Sequence, residues 1–407
     1  MSAMITGRAT MLLLGAACCL PAPGAAAQGR DGAGVRIVES AAPAWRAANG
    51  LRLEPTPLLT LGRPGAAAEQ QFGRVAGATR LRDGSVVVAD GQALTLRRFD
   101  AAGAFLRAIG QRGEGPGDLR WIDWVKGIAG DSILVWDTSL QRLTVFTAQG
   151  RLLTTVIPER LPAVTDPRDG ARIRIGVSVI GRFADGSLLT AHRLPLGMSQ
   201  ETGFHADTLI LGHLVGRGPP TEVGRLLYRE AFVYNFPGGS ISGERPFARS
   251  GAVATDGRHI HTSDGRAFEV RTFTTSGALV RISRIRRAPA LVTAREIAED
   301  KAARLTSESS RFRAELERIN AWLPFPRTKP AFDALRADAA GRLWAQVAGD
   351  STRARHWEVF APTGAWLGTV TTPAGLAVLE IGRDYFLGRT KDEDGVDIVQ
   401  LFRMIGG

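Results

Sequence analysis

Asp83-Gly84-Ser85-Val86-Val87-Val88-Ala89-Asp90, then Leu94-Thr95-Leu96-Arg97-Arg98-Phe99, then Gly103 and Phe105-Leu106-Arg107-Ala108-Ile109, is the stretch that decides the fold. Asp90, Phe99, Gly103 and Leu106 recur as Asp137, Phe146, Gly150 and Leu153, each 47 residues later. A fixed period of that size signals stacked units, because one such unit cannot bury its own apolar faces and needs neighbours. Within the unit, the turn dipeptide Asp83-Gly84 opens a β-branched run that reads as a strand. Leu94 to Phe99 is the next strand, and Gly103 supplies the turn into an outer strand.

The phenylalanine, the glycine four later and the aliphatic residue seven later return as Phe273, Gly277 and Val280, and as Phe360, Gly364 and Leu367. A degenerate unit lies between: Asp185 to Ala191 reproduces the second strand, Thr208 to Leu214 the third and Val223 to Leu227 the fourth. The last unit, with Ala377 to Ile381, Tyr385 to Gly388 and Val396 to Phe402, is one strand short. Leu51 to Leu53 and Leu58 to Leu61 stand near the start without partners of their own, so a segment there supplies the missing outer strand and removes an exposed edge. The expectation is an all-β, six-bladed β-propeller over residues 51–407, closed by an N-terminal strand and preceded by a lead-in at 28–50.

Two insertions depart from the minimal blade. One covers residues 228–247 and carries Phe232, Tyr234, Phe236 and Gly238-Gly239-Ser240. The other, about 289–330 between the fourth and fifth blades, begins with Thr293-Ala294-Arg295-Glu296, a capping-box pattern. Ile297, Leu305, Phe312, Leu316 and Ile319 then stay near one helical face, which predicts a helix broken near Thr306 to Ser310 and ended by Pro324, Pro326 and Pro330.

Residues 1–27 read as a secretory signal: Arg8, an apolar run from Met11 to Leu20, then Ala25-x-Ala27 before Gln28, with cleavage after Ala27. That run is too short for a stable membrane anchor, and no later segment offers a long uncharged apolar stretch. The expected location is therefore periplasmic or fully secreted. Both cysteines, Cys18 and Cys19, fall within the signal, so the exported chain is expected to lack disulfides, thiolate metal ligands and a thiol nucleophile. The formal charge is +11, with Lys126, Lys301, Lys329 and Lys391 the only lysines. The arginines are spread along the chain, and the densest group, Arg281, Arg284, Arg286 and Arg287, reads as a solvated sheet edge. Nucleic acid is not an expected partner.

Asp-Gly-x-x-x-Val-Ala-Asp, followed by Arg-Phe-Asp-x-x-Gly-x-Phe-Leu and by Gly110 to Gly117, resembles the NHL-type repeat. With Pro330-Ala331-Phe332 before Gly341 to Trp344, and the closing Asp394-Gly395-Val396, residues 50–407 are similar to exported bacterial six-bladed β-propellers. The resemblance implies a fold and carries no established activity.

Several residues are candidates for chemistry. Asp90, Asp137 and Asp264 stand at the end of a second strand, and His192 takes that place in the degenerate unit. An acidic and imidazole ring there binds a cation or polarises a substrate; the competing reading is that each repeated aspartate satisfies turn amides. Arg389 in the last unit, and Tyr234, Phe236 and Trp322 on the insertions, complete the binding candidates. His259 and His261 alternate on one strand, but no HExxH or comparable metal cluster exists. Gly110-x-x-Gly113-x-Gly115-x-Gly117 lacks the following helix that phosphate binding requires, and Gly239-Ser240-Ile241-Ser242-Gly243 is out of register for a nucleophile elbow. The leading expectation is a monomeric binding module without a cofactor, recognising a small molecule, carbohydrate or protein on the face that bears both insertions. The alternative is a hydrolase or lyase using Ca²⁺ or Zn²⁺ near the ring axis.

Overall fold

The computed structural model describes residues 27–30, 34–46, 49–159, 161, 164–165, 172–173, 175–193, 201–307, 312–349 and 353–407. The body of the expected signal segment, residues 1–26, lies outside them. The chain opens with β1 (Ala27–Arg30), β2 (Arg36–Ser40), β3 (Arg52–Leu53) and β4 (Leu59–Leu61). Two four-stranded antiparallel meanders follow. The first is β5 (Val75–Arg80), β6 (Val86–Asp90), β7 (Thr95–Phe99) and β8 (Phe105–Ile109). The second is β9 (Ile122–Ile128), β10 (Ser132–Asp137), β11 (Arg142–Phe146) and β12 (Leu152–Val156).

A two-stranded ribbon, β13 (Val164–Thr165) and β14 (Arg172–Ile173), precedes a five-stranded sheet. That sheet is β15 (Ser178–Arg182), β16 (Leu188–Arg193), β17 (Gly203–Leu214), β18 (Thr221–Phe236) and β19 (Gly239–Glu244). Next come β20 (Ala252–Thr255), β21 (Ile260–Ser263), β22 (Glu269–Phe273) and β23 (Leu279–Ile285), then the helices α1 (Ala294–Ser307) and α2 (Arg313–Trp322). The chain ends with a meander of β24 (Phe332–Ala337), β25 (Leu343–Val347), β26 (Arg355–Phe360) and β27 (Trp366–Thr372), and with β28 (Ala377–Ile381), β29 (Tyr385–Lys391) and β30 (Asp397–Ile405).

The molecule is mostly β and propeller-like, because each sheet buries one face on the sheet before it and the other on the sheet after. Val87, Leu96 and Ile109 pack with Ile122, Val135 and Phe146. Leu134 and Trp136 pack with Val179, Leu188 and Leu214. Phe183 and Leu211 meet Ile260, Val270 and Ile285 meet Phe332 and Phe360, and Trp344 and Trp357 meet Phe386 and Phe402. The series returns to its start, since Leu387, Val399 and Leu401 pack with Val75, Val86, Val88 and Phe99. Each side chain so buried contributes about 1.5–3 kcal/mol.

The repeated residues have repeated structural duties. The ladder slips by one residue at Phe99, Phe146, Phe273 and Phe360, a bulge that sharpens the twist before the outer strand. The glycine after each phenylalanine turns with positive φ, and at Gly277 (φ 89°) a side chain would also meet the Val223 carbonyl at 2.3 Å. Residues near the start complete the last sheet: β4 pairs β30, with Leu59 opposite Leu401 and Leu61 opposite Val399.

One sequence reading needs correction. The arginine group is not a solvated edge: β2 runs parallel to β23, pairing Arg36 with Arg281 through Ser40 with Ile285. Arg286 bonds Glu39, Arg284 bonds Glu269, and Arg287 reaches the buried Glu358 while lying over the Phe268 ring. The insertion at 228–247 is largely sheet, for β18 continues to Phe236 and folds back as β19, Phe236 opposite Gly239. The capping box forms as read: the Thr293 amide donates to Glu296 Oε2 at 3.0 Å, and the Glu296 amide to Thr293 Oγ1 at 3.3 Å.

Candidate functional site

One face of the molecule is defined by where β6 and β10 end. Asp90 there lies opposite Val75, and Asp137 opposite Ile122, so each aspartate sits beside the entry of its own inner strand. Asp90 Oδ1 accepts the amides of Gln92 and Ala93 (2.9 and 3.0 Å), and Oδ2 accepts that of Gly73 at 3.3 Å and pairs with Arg97 at 3.2 Å. Asp137 accepts the amides of Leu140, Arg120 and Trp121 at 2.8, 2.6 and 3.0 Å. Both carboxylates are buried and occupied by backbone donors.

The other members of the expected ring are placed differently. Asp264 follows the last residue of β21, is partly open, and accepts only the Arg266 amide at 3.0 Å, with Arg249 and Arg266 at 3.8 and 3.6 Å. His192, on β16, is half-buried and accepts none of the described turn amides; its Nδ1 is buried without a partner among the described residues. Burial pushes its imidazole below the ordinary histidine range, with Glu222 opposing and Arg225 reinforcing. His261 is buried between Asp256 (3.3 Å) and Thr272 Oγ1 (3.1 Å). The four ring positions thus stand on separate sheets and are not gathered around one point. Among the described residues no three His, Cys, Asp or Glu side chains are grouped as metal ligands. The glycine-rich loop at 110–117 closes on itself: the Gly113 amide donates to the Leu119 carbonyl and the Gly115 amide to Asp118.

The insertion aromatics meet one another. The Trp322 ring lies flat against Phe204 with centroids 5.1 Å apart, and Tyr234 and Phe232 approach it at 5.9 and 6.5 Å. Phe236 contacts Phe312 at 6.2 Å. Leu316, Ile319 and Leu323 complete the cluster, so α1 and α2 lean on the long β17–β19 hairpin and the two insertions share a face. A cavity of about 540 Å³ beside this cluster is lined by Glu244, Arg245, Asp300 and Arg304. Its charges are already paired, Arg304 with Asp300 at 2.6 Å and Arg245 with Glu230 at 3.4 Å.

A second cleft of about 530 Å³ opens at the seam between the first and last sheets, lined by Gly73, Arg74, Gln92, Arg389, Lys391 and Asp397. Arg389 stands near the end of β29, and its Nη1 donates across the seam to the Val75 carbonyl at 2.8 Å. Asp397 is buried; its Oδ2 accepts the Val75 amide at 2.7 Å and Oδ1 has no described partner. Arg74 lies over the Trp121 ring at 4.9 Å, and that indole is 53% exposed. Burial raises the Asp123 carboxyl, with Arg74 opposing. Three cations thus line a cleft with one carboxylate, Asp397, which Arg389 already approaches at 3.5 Å, next to an open aromatic surface.

Of the sequence candidates, only Arg389 lines this cleft, and Asp90 shapes it from below by holding Gly73. Arg74, Trp121, Lys391 and Asp397 were missed. The period itself held the signal: Arg74 and Trp121 are 47 residues apart, so they occupy one repeat position on adjacent sheets.

No family model and no curated protein matches this sequence. Among solved structures, a member of the DUF4221 family from Bacteroides vulgatus is similar at a TM-score of 0.51 and 10% identity, covering 88% of this chain and 99% of that one. A candidate exported protein from Bacteroides fragilis aligns at 0.45 and 12%, covering 89% and 98%. A streptogramin B lyase aligns at 0.37 and 12%, covering 88% and 99%. At these identities the likeness to the first concerns the fold alone. No described helix is long and apolar enough to cross a membrane.

Proposed function

We propose that the chain is an exported six-bladed β-propeller that serves as a binding module, taking a carboxylate-bearing oligosaccharide into the seam cleft between its first and last blades. The observation that carries this reading is that Arg74 and Lys391 line the cleft in excess of the Arg389–Asp397 pair, beside the exposed Trp121. Guanidinium forks match carboxylates in a plane, and an open indole offers a flat apolar surface to a sugar ring. Lys391 is free of the backbone bonds that hold Arg389, so it is the cation best able to follow a ligand. The reading needs no cofactor and no second copy of the chain. Asp90, Asp137 and Asp264 act here by shaping loops rather than by touching ligand.

Tryptophan fluorescence titration with an oligouronate and a neutral oligosaccharide of equal length tests this. The acidic ligand is expected to bind saturably and more weakly as salt rises. Arg389→Ala and Trp121→Ala are each expected to weaken it at least tenfold. Equal response to both sugars, or no response to either, overturns the reading.

A further inference from the structure

Among the described residues, Leu94, Asp131, Gln141 and Phe247 are the non-glycines that take the left-handed backbone region. Leu94 and Gln141 share one repeat position, 47 residues apart, in the turn that follows each buried aspartate, and Asp131 stands in the turn between β9 and β10. Phe247 has no such repeat behind it. It is third in a turn over residues 245–248 that is closed by the Ala248 amide donating to the Arg245 carbonyl at 3.1 Å, with Pro246 second. Proline is ordinary at the second place, but a positive φ at the third, here 53°, is ordinarily left to glycine or asparagine. A phenylalanine persists there only where its surroundings over-determine it, and such outliers gather at ligand sites.

The strained residue lines the cavity of about 540 Å³, to which this turn contributes Glu244, Pro246 and Phe247, and α1 contributes Asp300, Ala303 and Arg304. That volume suits a small organic ligand. Phe247 is half-buried, and its ring meets Phe325 at 6.2 Å, which fixes it in place. The arginines here are engaged: Arg304 donates to Asn320 Oδ1 and to Asp300 at 2.6 Å each, and Arg245 to the Pro324 carbonyl at 3.0 Å and to Glu230 at 3.4 Å. Arg249 shares Glu230 at 2.7 Å, and Lys301 lies over the Phe325 ring at 5.7 Å. Glu244 differs from all of these. Its side chain is 72% exposed, and its one ion-pair partner among the described residues, Arg229, stands at 3.7 Å while donating to the buried Asp207 at 2.9 Å.

We propose that this cavity is a second binding site, for an organic ammonium ion whose charge meets Glu244 and whose apolar body lies against Phe247 and Pro246. A carboxylate with a distant counter-ion accepts the ammonium, an aromatic face attracts the same charge, and Pro246 and Ala303 offer apolar surface to the stem. An anion would first have to displace Asp300 or Glu230 from the guanidinium groups. The site shares no lining residue with the seam cleft, so either stands if the other fails.

Titration calorimetry of the full chain with hexylammonium, hexanol and hexanoate at one ionic strength holds the stem constant and varies the head group. Saturable binding of hexylammonium at one site per chain is expected, tighter than that of hexanol, with Kd raised at least tenfold in Glu244→Gln and in Phe247→Gly. Glu244 is exposed and glycine suits the turn at 247, so both variants keep the fold. The proposal is overturned if hexylammonium does not bind saturably or if Glu244→Gln leaves its Kd unchanged. It is equally overturned if hexanoate binds as tightly and loses that binding in Phe247→Gly.

Discussion

The second and third sheets solve the same problem by different means. In β9–β12, the single buried carboxylate of Asp137 ties the turn after its own strand to Arg120 and Trp121 at the entry of the inner strand. In β15–β19, His192 takes that position, and one imidazole cannot accept three amides. The sheet instead lengthens: β17 has 12 residues and β18 has 16, with Arg229 bonding the buried Asp207 at 2.9 Å and α2 packed on the extension. Where a local tie is lost, long-range packing replaces it. Regular sheets are therefore held by turns, and the irregular one by its additions.

The strongest test of that contrast removes the ring seam on which both sheets depend. Deleting residues 28–61 takes away β2, β3 and β4, leaving the edges of β23 and β30 unpaired. The expected outcome is loss of cooperative urea unfolding together with aggregation, read by fluorescence and light scattering. A soluble monomer with an unchanged midpoint would mean that neighbouring sheets hold each other without closure.

A finer test compares the two positions directly. Asp137→Ala takes the acceptor from three partly buried amides and should cost about 1–3 kcal/mol, whereas His192→Ala should cost under about 1 kcal/mol. Equal losses in urea melts would erase the distinction between turn-held and packing-held sheets.

The same contrast explains what the sequence could reveal. Asp90, Asp137, Phe99 and Phe146 act within their own sheets, their carboxylate bonds reaching no further than 17 residues, so their spacing carries their structural role. The seam strand at Leu59–Leu61 was legible because the last unit lacked an outer member. By contrast, β2 meets β23 across some 245 residues of chain, Arg36 pairing with Arg281, and nothing local in either segment announces the other. The seam cleft was legible only at Arg389. Lys391 and Asp397 come from the last sheet and Arg74 from the first, so their convergence depends on ring closure rather than on any motif.

The smallest expected effect is a slope with pH, and it separates His192 from the more deeply placed His261. Burial pushes both imidazoles down; Asp256 opposes this at His261, while Arg281 and His259 reinforce it. Below about pH 6.5 the unfolded chain takes up protons that the folded chain refuses, so stability is full above that pH and is lost as pH falls toward 5. Asp256 is itself held far below the usual carboxylate range, against the effect of burial, by its bonds with His261 and the amides of Arg258 and His259, so it titrates outside this window. Each histidine contributes at most about 1.4 kcal/mol per pH unit. Urea melts at pH 7.5 and 5.5 should therefore show a loss in the unmodified protein that shrinks most in His261→Gln and less in His192→Gln, whose ring keeps part of its surface in water. If His192→Gln flattened the slope more, the histidine of the irregular sheet would be the tighter of the two, and the view of that sheet as loosely tied at this position would fail.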